Sequence, residues 1–375
     1  MRPRLVLLIL PLALVLGFAA CDADSDDPDN RTAVRQQLLA DIATRIIEPG
    51  HDAFAADAAA LAEAVTAFER DPSPATLGPA QAVWTTAARS WQRLSALNLP
   101  GAVRNGLFHN RISTWPANTA FIEDAVDTED PIDEAYAARR GSNARGLPAL
   151  EYLLFAGGDA AVLGQMSDPQ RRAYTLAVAQ DLLTQAGRLA EAWSRGGGNE
   201  LGMFEDADTE GRNLQSSVSR VVNEMAMIAE DLRYVKVGRP LGIARDPDEP
   251  DGAPQPDRVQ APNAQVSAEL FRDDLAGLRA LVTGGGGTGF DDYLVTLDAE
   301  VDGRPFGEVL LAQIDATDAA MAALGMPLHD AVTDNPDAAR AVYDETISLL
   351  RVIKVDFAGW LGVSITFSDN DGDSG

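Results

Sequence analysis

The chain has one cysteine, Cys21, and three histidines, His51, His109 and His329, in 375 residues. A lone cysteine excludes an intrachain disulfide and leaves the folded part no thiolate metal cluster and no catalytic thiol. None of the histidines begins an HxxE or belongs to an HExxH pair, so the helical zinc-hydrolase ligand set is missing and each histidine reads as a surface or packing residue. Basic side chains are scarce as well, 30 against 57 acidic ones, for a formal charge of -27. Such a charge repels a phosphate backbone and excludes a nucleic-acid partner. It keeps the surface solvated and favours cationic partners over anionic ones. The glycine runs Gly196 to Gly198 and Gly284 to Gly287 lack the Lys-Ser/Thr ending of a phosphate loop and read as turns. No Gly-x-Ser-x-Gly elbow occurs. Period-two alternation never lasts more than a few residues, so strands are at most minor.

What the sequence does have begins at its N-terminus. Arg2 and Arg4 form a positive segment, Leu5 to Leu16 an apolar one, and Ala19 and Ala20 precede Cys21. This is the layout of a cleaved export signal over residues 1–20. The apolar run contains Pro11, ends at Gly17 and is shorter than the ~20 residues a membrane-spanning helix needs. Phe18-Ala19-Ala20-Cys21 resembles the bacterial lipobox, although Phe18 stands where Leu is usual. Cys21 is therefore expected to carry a lipid that ties the chain to a membrane of the cell envelope, on its periplasmic side. Residues 21–30 then form an acidic tether. Asp22 resembles an inner-membrane retention signal of some enteric bacteria, a rule that differs between lineages.

Beyond the tether, apolar residues recur at three- and four-residue intervals, the signature of amphipathic helices. Val34, Leu38, Ile42 and Ile46 make one stripe ending at Pro49, and Phe54 to Phe68 a second, broken at Asp71-Pro72-Ser73-Pro74. Val83, Ala87, Trp91 and Leu94 begin a third, and Pro169 to Trp193, with Asp168 as N-cap, forms a fourth. Arg195-Gly196-Gly197-Gly198-Asn199 interrupts the period and marks the boundary between residues 31–198 and 199–375. The second half repeats the theme with Leu214 to Leu232, a loop rich in Pro, Gly and Asp from Gly238 to Pro262, and helices near Val266–Val282, Phe306–Leu324 and Asp337–Trp360. The expected class is all-α: two antiparallel helical-bundle halves with an interdomain cleft.

Chemistry is sparse. The tail Asp369 to Asp373 opens like a calcium loop, but the chain ends before the bidentate Glu that such a loop needs. Glu151 is more informative, since it sits in Gly146-Leu-Pro-Ala-Leu-Glu-Tyr-Leu-Leu-Phe155, where nearly everything else is apolar. An ionised carboxylate there must be paired, metal-bound or shifted in pKa, which makes Glu151 the leading site candidate and the one candidate metal ligand. A Glu hydrogen-bonded to backbone or to an Arg of a neighbouring helix explains the same pattern structurally.

Trp84 to Gln92, Arg111 to Pro116, Gly146 to Phe155, Lys236 to Gly242, and Leu361-Gly362 through Asp373 occur in an order that resembles the imelysin family of bacterial envelope proteins. The resemblance covers nearly all of the mature chain. It implies an exported, often lipidated, all-helical protein of two related bundles, with some relatives linked to iron uptake and a peptidase label on others. The family hallmark is Gly-x-His-x-x-Glu. Here Pro148 stands three residues before Glu151, where the histidine belongs, as in a predicted-lipoprotein branch of the family. Proline offers neither an imidazole nor a backbone N–H, so Pro148 binds no metal and instead suits the start of a helix carrying Glu151.

Arg111, Trp115 and Lys236 lie in the other matching segments, and a cleft between the halves is expected to gather them with Glu151 and Glu230. The leading expectation is a non-enzymatic lipoprotein binding a cation, iron or another divalent ion, or a small molecule. The alternatives are a metal-dependent peptidase of the imelysin type and a protein–protein interaction module of the envelope.

Overall fold

A computed structural model describes residues 28–94, 97, 109–206, 217–243 and 252–366. The export signal, Cys21 with the residues just after it, and the Asp369 to Asp373 tail lie outside these. Among the described residues ten principal helices carry the architecture: α1 Pro28–Ile42, α2 Glu48–Arg70, α3 Pro74–Arg93, α4 Thr119–Val126, α5 Gly146–Phe155 and α6 Pro169–Trp193 in the first half, followed by α7 Ser217–Asp231, α8 Ser267–Val282, α9 Phe306–Ala322 and α10 Pro336–Arg351. Among the described residues the only strands are Glu300–Val301 and Arg304–Pro305, paired antiparallel with Val301 opposite Arg304. The class is all-α.

The helix starts follow from local chemistry. Asp168 accepts a hydrogen bond from Gln170 N at 2.9 Å with Pro169 in the first turn of α6, and Asn118 caps α4 through Phe121 N at 3.1 Å. Both satisfy N–H groups that a helix start leaves without partners. The first described helix begins at Pro28.

Pro49 does not end a helix either. The chain passes from α1 to α2 through a π-helical segment, Ala43–Ile47, and Pro49 falls in the first turn of α2, directly after the widened turn. Two more π segments extend α7 over Leu232–Gly238 and α10 over Val352–Phe357. Each widened turn shifts the side-chain register, which a search for a 3.6-residue period does not see.

One bundle packs α2 on α3 and α6, with α5 against α3 and α6. The other packs α9 on α8 and α10, with α7 against α10. A single continuous apolar core runs through both, from Phe54 and Trp84 to Phe306 and Phe357. The join is the crossing of α3 with α8. Gly277 of α8 makes it possible, because a Cβ there would stand 2.6 Å from the carbonyl oxygen of Arg93. Around that point Asp273 accepts from Arg89 Nε at 2.6 Å and from Arg93 Nε at 2.9 Å, and Asp274 accepts from Gln92 Nε2 at 2.5 Å.

Gly277→Val therefore forces the two bundles apart and is expected to lower the unfolding free energy by about 2–3 kcal/mol in urea denaturation. Gly187, an exposed helical glycine in α6 with nothing near its absent Cβ, provides the contrast. Gly187→Ala should stabilise by about 0.5–1 kcal/mol, and a stabilised Gly277→Val would contradict the crossing described.

Candidate functional site

The site is built from two helices and two connecting segments. On α3, Trp84, Ala88, Trp91 and Gln92 follow one another at helical spacing and share a side. On α5, Leu147, Pro148, Glu151 and Tyr152 face them. Between the two runs the segment Ser113 to Thr119, and across from them lies the loop Asp257 to Asn263. Together they enclose a cavity of about 170 Å³, with Trp84, Trp91 and Trp115 among its walls.

The start of α5 is fixed tightly. Gly146 adopts φ +71°, and a Cβ on it would fall 2.2 Å from Ile112 O, so both conformation and space require glycine. Leu147 N donates to Ile112 O at 2.8 Å, and Trp84 Nε1 donates to Leu147 O at 2.9 Å. These contacts tie the Ser113 to Thr119 segment to α3 through α5. Pro148, within the first turn of α5, removes an N–H that would have had no helical partner.

Glu151 is buried and completely engaged. Its Oε1 accepts from Asn263 N at 2.7 Å and from Ala264 N at 2.9 Å, and its Oε2 accepts from Asn263 Nδ2 at 3.0 Å. Burial pushes its pKa up, and the three N–H donors oppose that shift without cancelling it. The carboxylate thus acts as a clamp holding the 257–264 loop over the cavity. It does not fit a metal site. Its oxygens are taken by three donors, and among the described residues no group of three or more His, Asp, Glu or Cys side chains is arranged to hold an ion.

A second compartment of about 420 Å³ shares Trp91, Gln92, Ser113, Trp115 and Gln260 with the first. Its far wall is one face of α7 and the π segment after it: Glu224, Met227, Ile228, Asp231, Val235, Lys236 and Arg239. Intervals of three, four and seven residues place Glu224 and Asp231 on the same side of α7. Lys236 Nζ pairs with Asp274 Oδ2, whose other oxygen accepts from Gln92 Nε2, and Gln92 Oε1 in turn accepts from Gln260 Nε2 at 2.9 Å. This relay fixes both amides, because a carboxylate can only accept. Gln260 Oε1 and Trp115 Nε1 are then left buried without a hydrogen-bond partner, on the wall common to both compartments.

Glu224 and Asp231 differ from the paired Asp274. Burial, and then the charge of Asp231, raise Glu224 to about 7. Burial raises Asp231 to about 6, assisted by Asp274 and Glu230 and opposed by Lys236 and Arg239. His109 also lines this compartment, with its ring 4.9 Å from that of Trp91, and burial together with the neighbouring His51 lowers it to about 3. It is a neutral imidazole at physiological pH, facing the cavity rather than filling surface or core. His51 does fill the core: Nδ1–H donates to Ile47 O at 2.7 Å and the ring stacks on Trp193.

Of the residues singled out from sequence, Glu151 and Trp115 meet in the first compartment, and Trp115 and Lys236 in the second. Arg111 lines neither compartment; its backbone carbonyl packs beside Gly146. Glu230 points away, bonded to Arg233 at 2.7 Å, because one residue along a helix turns the side chain by about 100°. Asp231 holds the place expected for it. The site residues missed by sequence reasoning are Glu224, Asp231, His109 and Gln260; the seven-residue spacing of the two acids beside the Val221, Met225 and Ile228 stripe was a usable signal.

The Imelysin family model, Peptidase_M75, matches residues 47–353, and the chain belongs to that family. An imelysin-like protein from Psychrobacter arcticus superposes with a TM-score of 0.71 at 17% identity, covering 89% of this chain and 98% of that one. A protein described as an iron-regulated protein A precursor, from Parabacteroides distasonis, superposes with a TM-score of 0.68 at 17% identity, covering 87% and 95%. At this identity the two structures establish a shared fold. A search of curated proteins returns no match.

The acid pair has a consequence for stability. A carboxyl whose folded pKa is raised binds its proton more tightly in the native state, so stability is lost as pH rises through the shifted value. For Glu224 the window is pH 4.5 to about 7. Wild-type protein should lose more stability across that window than Glu224→Gln, by roughly 1–3 kcal/mol in denaturant titrations at each pH. Parallel curves for the two proteins would show that Glu224 ionises freely.

Proposed function

We propose that this imelysin-family chain is a lipid-anchored envelope protein that holds a small organic ligand, without catalysis, in the two-compartment cavity. The observation that carries the reading is the first compartment: about 170 Å³ walled by three indoles, close to the ~150 Å³ cavity size known to accept a benzene ring. Concave, largely apolar sites with a few fixed polar groups are the usual form of small-molecule sites.

Catalysis is disfavoured by the residues themselves. The histidine position of the family motif is Pro148, and the motif glutamate is held by three N–H donors. The same clamp argues against iron at Glu151, so the iron association carried by the Parabacteroides protein's description finds no donor set at this residue. Export and anchoring rest on the N-terminal segment and Cys21.

Native mass spectrometry of protein isolated from its own host should reveal a co-purifying small molecule. Ala88→Phe, which fills the first compartment, should abolish that adduct while the protein remains folded. An adduct untouched by Ala88→Phe, or an iron titration whose saturable heat disappears in Glu151→Gln, would count against the reading. For the anchor, Cys21→Ser should move the protein from the membrane fraction to the soluble one. Wild-type membrane retention of that variant would refute lipidation at Cys21.

A further inference from the structure

Resting on the reading of the first compartment as a ligand site, we propose that the segment Gln260 to Gln265 is its gate: a strap latched by Glu151, strained at Ala261 and Gln265, that lifts while both bundles stay folded. Gln260, Ala261, Pro262 and Asn263 form one wall of the compartment. The ends of the strap are fixed, by fully buried Val259 on one side and by the start of α8 at Ser267 on the other.

Between those ends the strap is held to the first bundle at two residues. Asn263 N and Ala264 N donate to Glu151 Oε1, and Asn263 Nδ2 donates to Oε2, so three hydrogen bonds end on one carboxylate. Gln260 Nε2 donates to Gln92 Oε1 of α3. Ser267 Oγ holds the Gln260 carbonyl at the fixed end, and Gln265 N donates to Ala261 O at 3.0 Å. Residues 261–265 therefore form one closed turn, which moves as a unit when Glu151 lets go.

That turn is strained in the closed position. Among the described residues five other than glycine have positive φ, and three of them, Asn199, Asp298 and Asp302, are of the types that tolerate it. The other two are Ala261 at +51° and Gln265 at +57°, the two ends of the turn that Glu151 holds. Ala261 also precedes Pro262, whose ring narrows its backbone choices further. A third mark of strain is Gln260 Oε1, which is buried without a hydrogen-bond partner while its amide is fixed by Gln92.

Lifting the strap returns Ala261 and Gln265 to ordinary negative φ and gives Gln260 Oε1 back to water. Strained backbone persists only where its surroundings over-determine it, and here the surroundings that do so converge on Glu151. The closed strap is thus a balance between released strain and three hydrogen bonds to one side chain. A loop serving only as a wall would gain nothing by opening.

The test is hydrogen exchange followed by mass spectrometry on the whole chain, with the Asn263 and Ala264 amides as reporters and α2 and α6 as internal controls. The reporters should exchange by local opening, at least about tenfold faster than the controls. Glu151→Gln, which keeps the shape and removes the charge, should speed the reporters by a further factor of about ten, the worth of a charge-assisted hydrogen bond, and leave the controls unchanged. Gln265→Gly should slow them about two- to fivefold, because glycine takes a positive φ without strain and the exposed Gln265 side chain gives up no packing. Access is read separately on Ala88→Cys in a Cys21→Ser background, where Glu151→Gln should speed labelling of the cavity thiol by dithiodipyridine by the same factor as it speeds exchange. Reporters that exchange only as fast as the controls, a Gln265→Gly that speeds them, or labelling unmoved by Glu151→Gln overturns the gate. Both measurements are made without ligand, so a missing co-purified molecule counts against the ligand reading and leaves the exchange result standing.

Discussion

The crossing of α3 and α8 is the constraint on which the rest of the molecule depends. Two helices approach closely only where one of them lacks a side chain, and Gly277 is that place, facing the carbonyl of Arg93. The adjoining residues of α8, Asp273 and Asp274, are both buried, so the contact puts two carboxylates into the join of the bundles. Each must be compensated at a cost of several kcal/mol if left alone. Asp273 takes the guanidinium groups of Arg89 and Arg93, whose side chains stay about half exposed and keep part of their hydration. Asp274 lies deeper and takes Lys236 together with Gln92.

That second choice shapes the cavity. Asp274 takes the ion pair of Lys236 from the π segment after α7, and Lys236 acts on Asp231 only through its charge. Burial, and then the charge of Asp231, raise Glu224, and burial with Asp274 and Glu230 raises Asp231, whereas the structural pair is satisfied. The same carboxylate orients Gln92, and Gln92 orients Gln260, so one buried charge determines which polar atoms on the shared wall remain available. Structural and site acids are thus separated by partner count rather than by depth alone, since both kinds are largely withdrawn from water.

How much of this was legible in the sequence depends on the distance over which each feature is decided. Helices fixed by local periodicity and caps could be read directly: Asp168-Pro169 opens α6, and its stripe from Tyr174 to Trp193 is buried as its spacing implies. Pro49 misleads, because a proline in a first helical turn and a proline ending a helix look alike until the π segment before it is known. Glu151 stood out as a lone acid in an apolar run, yet its partners, Asn263 and Ala264, belong to a loop more than a hundred residues away with no periodicity to place it. Glu230 and Asp231 are adjacent acids, and only the rotation of α7 relative to the cavity decides which one faces it. Arg111 lay in a recognisable segment, but that segment contributes its neighbours Ser113 and Trp115 to the lining and uses Arg111's backbone against Gly146.

The replacement of the motif histidine by Pro148 and the engagement of Glu151 belong to one arrangement. With an imidazole three residues before it on α5, the glutamate would share its side of the helix with a second metal-competent group. With proline there, Glu151 has no such neighbour, and a buried carboxylate without a cation needs hydrogen-bond donors instead. The 263–264 loop provides three. Because those donors come from the opposite half of the chain, satisfying Glu151 also closes the loop over the first compartment, whose walls include three indoles. The charged groups lie instead in the neighbouring compartment, where α7 supplies Glu224 and Asp231 and where Lys236 and Arg239 oppose the charge of Asp231.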